Sequence, residues 1–248
     1  MKTIILTLLF VCSTSLATTQ YVYNVSKDLV IIESAADAVR PIASVTKLMT
    51  ALIILDSRLS MDEKVPYRGS KQLSSKPRSR EELLSLMLIK SDNNAADALA
   101  RSVPGGRERF IRMMNDTALS LGMMSTTYED SSGLGFHNQS TAKDLAILLQ
   151  HVYNYDKIRQ VASTQRYVVI DTTKKKKRRK VVTVNNTNYK LLVDYSEIEI
   201  SKTGFTNPAG KCLAMFITKH GDHFVVVILG ERNTSSVQKV SRGIINNL

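Results

Sequence analysis

The run Leu48-Met-Thr-Ala-Leu-Ile-Ile-Leu55 is apolar on nearly every face of a helix. Such a helix is stable only when other elements cover it on almost all sides, which commits the chain to a layered core. Just before it, in Pro41-Ile-Ala-Ser-Val-Thr-Lys47, a serine and a lysine stand three residues apart. On a helix this spacing places Ser44 and Lys47 on one face, one turn apart, at the mouth of the most apolar segment.

The rest of the chain supplies material for such a core. Its 248 residues are 43% hydrophobic and 23% charged, which excludes disordered and collagen-like classes. Gln20 to Glu33 reads as two short strands around a Ser26-Lys-Asp28 turn. After the buried helix come a polar connector from Pro66 to Arg80 and a helix over Glu81 to Lys90 with acids in its first turn. Helices over Asn94 to Arg101 and Arg107 to Leu121 follow, split by Pro104-Gly-Gly106. Another begins near Ser140, with Thr141 and Asp144 at capping-box spacing. From Arg166 the pattern turns to strands, including Glu197-Ile-Glu-Ile200 and two apolar strands meeting at Gly221-Asp222, before a last helix from Ser235. This order predicts an α+β fold, an antiparallel β-sheet flanked by helices with an inserted helical region at about 45–155, in a single domain over 18–248.

Residues 1–17 carry one lysine, an apolar run and small residues ending at Ala17, the layout of a signal peptide. The run is short for an ordinary membrane span, although a retained N-terminal anchor is the alternative. A periplasmic or otherwise exported protein is expected. Cleavage would leave Cys212 alone, in an apolar strand-like run, and a single cysteine cannot staple the fold. No Cys/His cluster has metal-ligand spacing, so neither a metal nor a cofactor is expected. The net charge of +12 suits acidic surfaces such as wall polymer or anionic lipid. Much of it sits in Lys174-Lys-Lys-Lys-Arg-Arg-Lys180, which reads as a solvated hairpin tip or as a contact for anionic wall or lipid. No aromatic residue interleaves these charges, and nucleic acid is not the expected partner.

Ser-x-x-Lys by itself says little, since it occurs at Ser44/Lys47, Ser140/Lys143 and Ser236/Lys239. Only the first opens a buried helix. There, N–H groups and the helix dipole favour developing negative charge beside the serine. Burial also disfavours the charged form of the lysine, so a neutral amine can serve as base to the hydroxyl. A capping serine with a snorkelling lysine is the structural alternative. Two further triplets decide between these: Ser91-Asp92-Asn93 between two helices, and Lys202-Thr203-Gly204 at the end of a strand. Ser-x-x-Lys, Ser-Asp-Asn and Lys-Thr-Gly in this order form the catalytic set of penicillin-binding proteins and class A β-lactamases.

The chain therefore resembles the low-molecular-mass penicillin-binding proteins, serine D-alanyl-D-alanine peptidases. The likeness extends to Ser91-Asp-Asn-Asn-Ala-Ala96, Pro104-Gly-Gly106, Ser132-Gly-Leu134 and Lys202-Thr-Gly-Phe-Thr-Asn-Pro-Ala-Gly210. It is most similar to the short endopeptidase branch, because a chain ending at Leu248 leaves no room for the added C-terminal domain and anchor of the carboxypeptidase branch. The resemblance implies a β-lactamase/DD-peptidase-like fold and an acyl-enzyme on Ser44. It also implies Lys47 as base, Ser91 as relay to the departing amine, Asn93 on the substrate amide and Lys202 shaping the field. Thr203, Gly204 and Phe205 would bind substrate, with the N–H groups of Ser44 and Phe205 forming an oxyanion hole. Peptidoglycan stem peptides are the implied substrate, and β-lactam antibiotics covalent inhibitors. A D-alanyl-D-alanine carboxypeptidase is the alternative, with a β-lactamase or a non-catalytic wall-binding protein behind it. The Glu-x-x-Leu-Asn string of class A β-lactamases is missing.

The basic run generates a test of its own. Neutralising Lys174 to Lys177 should leave turnover of a small soluble substrate unchanged and weaken binding to sacculi or anionic vesicles. The unaltered protein should show the steeper salt dependence. Equal binding by both proteins at low salt would return the run to a solvated tip.

Overall fold

The structure is a computed structural model that describes residues 18–172 and 179–248. It opens with strands β1 (Thr19–Asn24) and β2 (Leu29–Ser34), which pair antiparallel across the Ser26 to Asp28 turn. A short strand β3 (Arg40–Pro41) leads into a 3₁₀ turn (Ala43–Thr46) and helix α1 (Lys47–Asp56). Ser44 thus lies in the 3₁₀ turn and Lys47 opens the α-helix, a tighter entry than a single continuous helix. Strands β4 (Lys64–Val65) and β5 (Arg78–Ser79) bracket the polar connector. Helices α2 (Arg80–Ile89), α3 (Asn93–Arg101) and α4 (Gly106–Ser120) follow as expected. Then come β6 (Gln139–Ser140), paired with β3, α5 (Ala142–Val152) and α6 (Asp156–Ala162). Thr141 caps α5 by accepting the Asp144 N–H at 3.0 Å.

Strands β7 (Arg166–Thr172) and β8 (Arg179–Asn185) form a separate hairpin. Its tip, with Lys174 to Arg178 of the basic run, lies outside the described residues, as do residues 1–17. Arg179 and Lys180 are exposed in β8. After α7 (Tyr189–Asp194), strands β9 (Ile198–Thr206), β10 (Gly210–Lys219) and β11 (Asp222–Glu231) run antiparallel, and α8 (Thr234–Asn246) closes the chain. The sheet order is β2-β1-β11-β10-β9. One expectation needs correcting: Lys202 to Gly204 do not end a strand. Backbone pairing continues to Thr206, opposite Gly210, so the triplet sits inside β9.

Two apolar layers cover the sheet. Ala214, Phe216, Val225 and Val227 face the helical region, where α5 packs on β10 and β11, and they belong to one apolar core with Leu48 and Leu52 of α1. Leu213, Met215, Val226 and Ile228 face α8 through Val237 and Ile244. This two-sided cover explains why β10 and β11 read as unbroken apolar runs rather than alternating ones. The side-chain sulfur of Cys212 is buried in this wall, and burial pushes its thiol up to about 11. It is a packing residue. Helix α1, which expectation placed at the centre, is buried along all but its last turn. Leu52→Ala there should cost about 2–5 kcal/mol of stability, read as a lower thermal midpoint. A midpoint within a degree of the unaltered protein would mean the helix is not the core of the molecule.

Candidate functional site

The three triplets lie on separate elements that meet at one place: the 3₁₀ turn with α1, the link between α2 and α3, and edge strand β9. The Lys47 amine, with no exposed surface, is 2.8 Å from Ser44 Oγ, 2.7 Å from Asn93 Oδ1 and 2.5 Å from the Ser132 carbonyl oxygen. Burial, with the Lys202 charge acting in the same direction, holds its pKa well below the ordinary lysine range. A neutral amine has two N–H bonds and one lone pair. The Asn93 and Ser132 oxygens can only accept, so together they use both N–H bonds. The lone pair is left facing the Ser44 hydroxyl. That geometry suits removal of the serine proton.

The loop that supplies the Ser132 carbonyl is held by Asp130. Its carboxylate accepts the N–H groups of Ser132, Gly133 and Gly135 at 2.6–2.7 Å, and the Ser132 hydroxyl at 2.8 Å. Burial works to raise the Asp130 pKa, yet these N–H groups outweigh it and hold the carboxyl below its ordinary value. Gly133 has φ 79°, and a Cβ there would lie 1.8 Å from the Ala43 carbonyl oxygen. The loop can therefore pack on the turn carrying Ser44 only because this residue has no side chain.

Across the site Lys202 is fully buried and donates to Ser91 Oγ at 3.1 Å and to the Thr203 carbonyl at 2.8 Å. Desolvation lowers its pKa to about 7. Ser91 has φ 60° and Ala43, the neighbour of Ser44, φ 47°. Two non-glycine residues in the left-handed region at two motifs are local strain stored at the site. Asp92 caps α3 by accepting the Ala95 N–H at 2.9 Å and also takes the Tyr67 hydroxyl at 2.8 Å, which fixes the turn presenting Ser91 and Asn93. The cap thus falls to Asp92, while Ser91 and Asn93 on either side of it meet Lys202 and Lys47.

A cavity of about 310 Å³ opens beside these groups, lined by Ser44, Ser91, Thr203, Gly204 and Phe205. The Thr203 hydroxyl bonds that of Thr187, and the Phe205 ring is half exposed. Gly204 is tight: a Cβ there would lie 3.0 Å from the Ser44 nitrogen and 2.9 Å from the Ile42 oxygen. All eight residues singled out in the sequence thus converge. Thr187, Asp130, Ser132 and Tyr67 also belong to the site. Only Ser132 had any signal, through the Ser132-Gly-Leu134 likeness. The other two Ser-x-x-Lys pairs are elsewhere: Ser140 contacts Thr126, and Lys143 pairs with Glu33 and Asp37.

Residues 16–233 match the family described as D-alanyl-D-alanine carboxypeptidase. The chain belongs to this family. A D-alanyl-D-alanine endopeptidase of Escherichia coli is 40% identical over 204 residues, covering 78% of this chain and 64% of the relative. This chain thus spans under two thirds of that relative's length. A Streptomyces DD-transpeptidase structure superposes with a TM-score of 0.83 at 28% identity, covering 92% of this chain and 95% of the other. A penicillin-binding protein of Listeria monocytogenes in a cefotaxime-bound form gives 0.79 at 29% identity with the same coverage. The fold is the β-lactamase/DD-peptidase-like one that the resemblance implied.

The close approach of β9 to the serine yields a direct test. Gly204→Ala should leave the protein folded but move the strand edge from Ser44, lowering acylation by labelled penicillin about a hundredfold. Unchanged acylation would show that the edge is not part of the reacting geometry.

Proposed function

We propose that this protein is a serine DD-peptidase that hydrolyses D-alanyl peptide bonds of peptidoglycan through an acyl-enzyme on Ser44. The observation that carries the reading is the Lys47 amine, buried between two acceptors with its lone pair toward the serine hydroxyl. In this reading Ser44 Oγ attacks the carbonyl as its proton passes to Lys47. The N–H groups of Ser44 and Phe205 stabilise the oxyanion, which for one such donor is worth about 10²–10³ in rate. The proton taken by Lys47 passes through the hydroxyl of Ser91, which Lys202 holds, to the departing amine, so the C–N bond breaks and Lys47 and Ser91 are both left neutral. Asn93 and Thr203 hold the substrate on either side, and water then releases the acyl group from Ser44. β-Lactams acylate the same oxygen and act as covalent inhibitors.

Cross-link cleavage, the endopeptidase reaction, is the preferred form, because the Escherichia coli relative at 40% identity is named a D-alanyl-D-alanine endopeptidase. Residues 1–17 read as a signal peptide, and among the described residues no helix is long and apolar enough to cross a membrane. Both features fit a periplasmic or wall-facing enzyme. The basic run is a further anionic contact in this reading. Digestion of purified muropeptides should convert cross-linked dimers to monomers. Release of free D-alanine with dimers intact would make the protein a carboxypeptidase.

Two outcomes check the chemistry. Labelled penicillin should leave one adduct, on Ser44, and Lys47→Arg should lose it while folding normally, since a guanidinium cannot give up its proton in this range. An adduct retained by Lys47→Arg would move the base elsewhere. The acylation rate should also be bell-shaped in pH. It rises as Lys47 loses its proton and falls above about 7, where buried Lys202 loses the positive charge the site uses. A rate that climbs steadily to the ordinary lysine range would sink this assignment.

A further inference from the structure

A hairpin of two strands can bury only one of its faces on the rest of the molecule. In β7 and β8 the inner face carries Val169, Val182 and Val184, which join the main core. Asp171 lies on the same face and is buried. Its carboxylate accepts the Ser74 N–H at 2.7 Å, the Ser74 hydroxyl at 2.6 Å and a guanidinium N–H of Arg78 at 3.1 Å. These contacts hold the hairpin on α2 and the polar connector, and they fix the direction in which its other face points.

That outer face is not polar. Side chains alternate along a strand, so Arg166, Val168 and Ile170 of β7 share it with Arg179, Val181 and Thr183 of β8. The register sets Ile170 opposite Val181 and Val168 opposite Thr183. Val168, Ile170 and Val181 are 57%, 58% and 67% exposed, so three branched apolar side chains stand in solvent at adjacent positions. A single exposed valine is ordinary, whereas a strip of three on an anchored ribbon marks a contact surface.

Cations stand at both ends of the strip. Arg166 lies at the base of the hairpin and Arg179 toward its tip, with Lys180 beside it, and all three are exposed. Arg166 donates to the Tyr189 hydroxyl at 2.7 Å, a neutral partner that leaves the charge uncompensated. The only acid in either strand is Asp171, and it is turned inward. An apolar strip with positive ends and no outward acid is complementary to acyl chains beneath anionic head groups. A wall polyanion would engage the cations and leave the strip in water. A second copy of the hairpin could cover the strip only by bringing like charges together at its ends.

We propose that the outer face of the β7–β8 hairpin docks on an anionic lipid bilayer. Val168, Ile170 and Val181 enter the head-group region, and Arg166, Arg179 and Lys180 meet lipid phosphates. The face consists of the two strands alone. It differs from a purely electrostatic contact of the basic run, because removing the strip changes no charge. It is also independent of the chemistry assigned to Ser44.

The test separates the strip from the charges. Changing Val168, Ile170 and Val181 together to Thr keeps Cβ branching, strand propensity and net charge. The unaltered protein should sediment with vesicles of equal parts phosphatidylglycerol and phosphatidylcholine, and the triple variant should bind them about tenfold more weakly. Binding to isolated sacculi and acylation by penicillin should be the same for both. Equal vesicle binding by the two proteins overturns the proposal, as does an equal loss on sacculi, which would assign the strip to the wall. Dimerisation of the unaltered protein that the triple variant loses would assign it to a second copy and overturn the proposal too. Val181→Trp gives a readout that does not depend on how the triple variant folds. The chain has no tryptophan, so the emission reports this position alone. It should shift to the blue on the mixed vesicles and be quenched by brominated acyl chains, and emission unchanged on vesicles that bind the protein overturns the proposal.

Discussion

The burial of a single amine organises this molecule. A lysine taken out of water keeps its charge only against a large desolvation penalty, so at Lys47 the neutral form is favoured. Neutrality then limits what can surround it: two acceptors for two N–H bonds, and a hydroxyl for the lone pair. Asn93, Ser132 and Ser44 meet that requirement from three parts of the chain. Each is held by its own device, a carboxylate cap at Asp92, a carboxylate-gathered loop at Asp130, and a left-handed residue at Ala43.

The surrounding architecture follows from keeping that amine dry and still. Helix α1 packs under it among α2, α3, α4 and α5, with α5 in turn lying on β10 and β11, which excludes water and locks the lysine stem. Edge strand β9 comes in so closely that only glycine fits at residue 204. An edge strand also leaves backbone groups free to meet an extended peptide, which suits a peptide-cleaving site. Lys202, buried on this strand with a pKa of about 7, adds a second titrating amine beyond Ser91. The site is thus two desolvated lysines with two serines between them, one lysine favoured neutral and the other poised near neutral pH.

Most of the fold was legible because its signals are local. The α2 start, the Pro104-Gly-Gly106 break, the α5 cap and the Gly221 turn each depend on residues a few positions apart. The short helices α6 and α7 and the two-residue strands escaped notice because so few residues carry little periodicity, and packing against the sheet decides them. The end of β9 was misplaced for a related reason. Lys202-Thr-Gly204 has weak strand propensity, but pairing with β10 to Thr206 overrides it.

By itself, the sequence determined which side chains were available: a buried-helix serine and lysine, two companion triplets in order, and a strongly basic surface. It could do so because motif identity and helix periodicity are properties of neighbouring residues. Tertiary structure alone decided their meaning. The contacts that fix Lys47 and Lys202 join residues 46, 85 and 111 positions apart, and no local pattern encodes an encounter at that range. Only the folded chain buries the two amines enough to change their protonation.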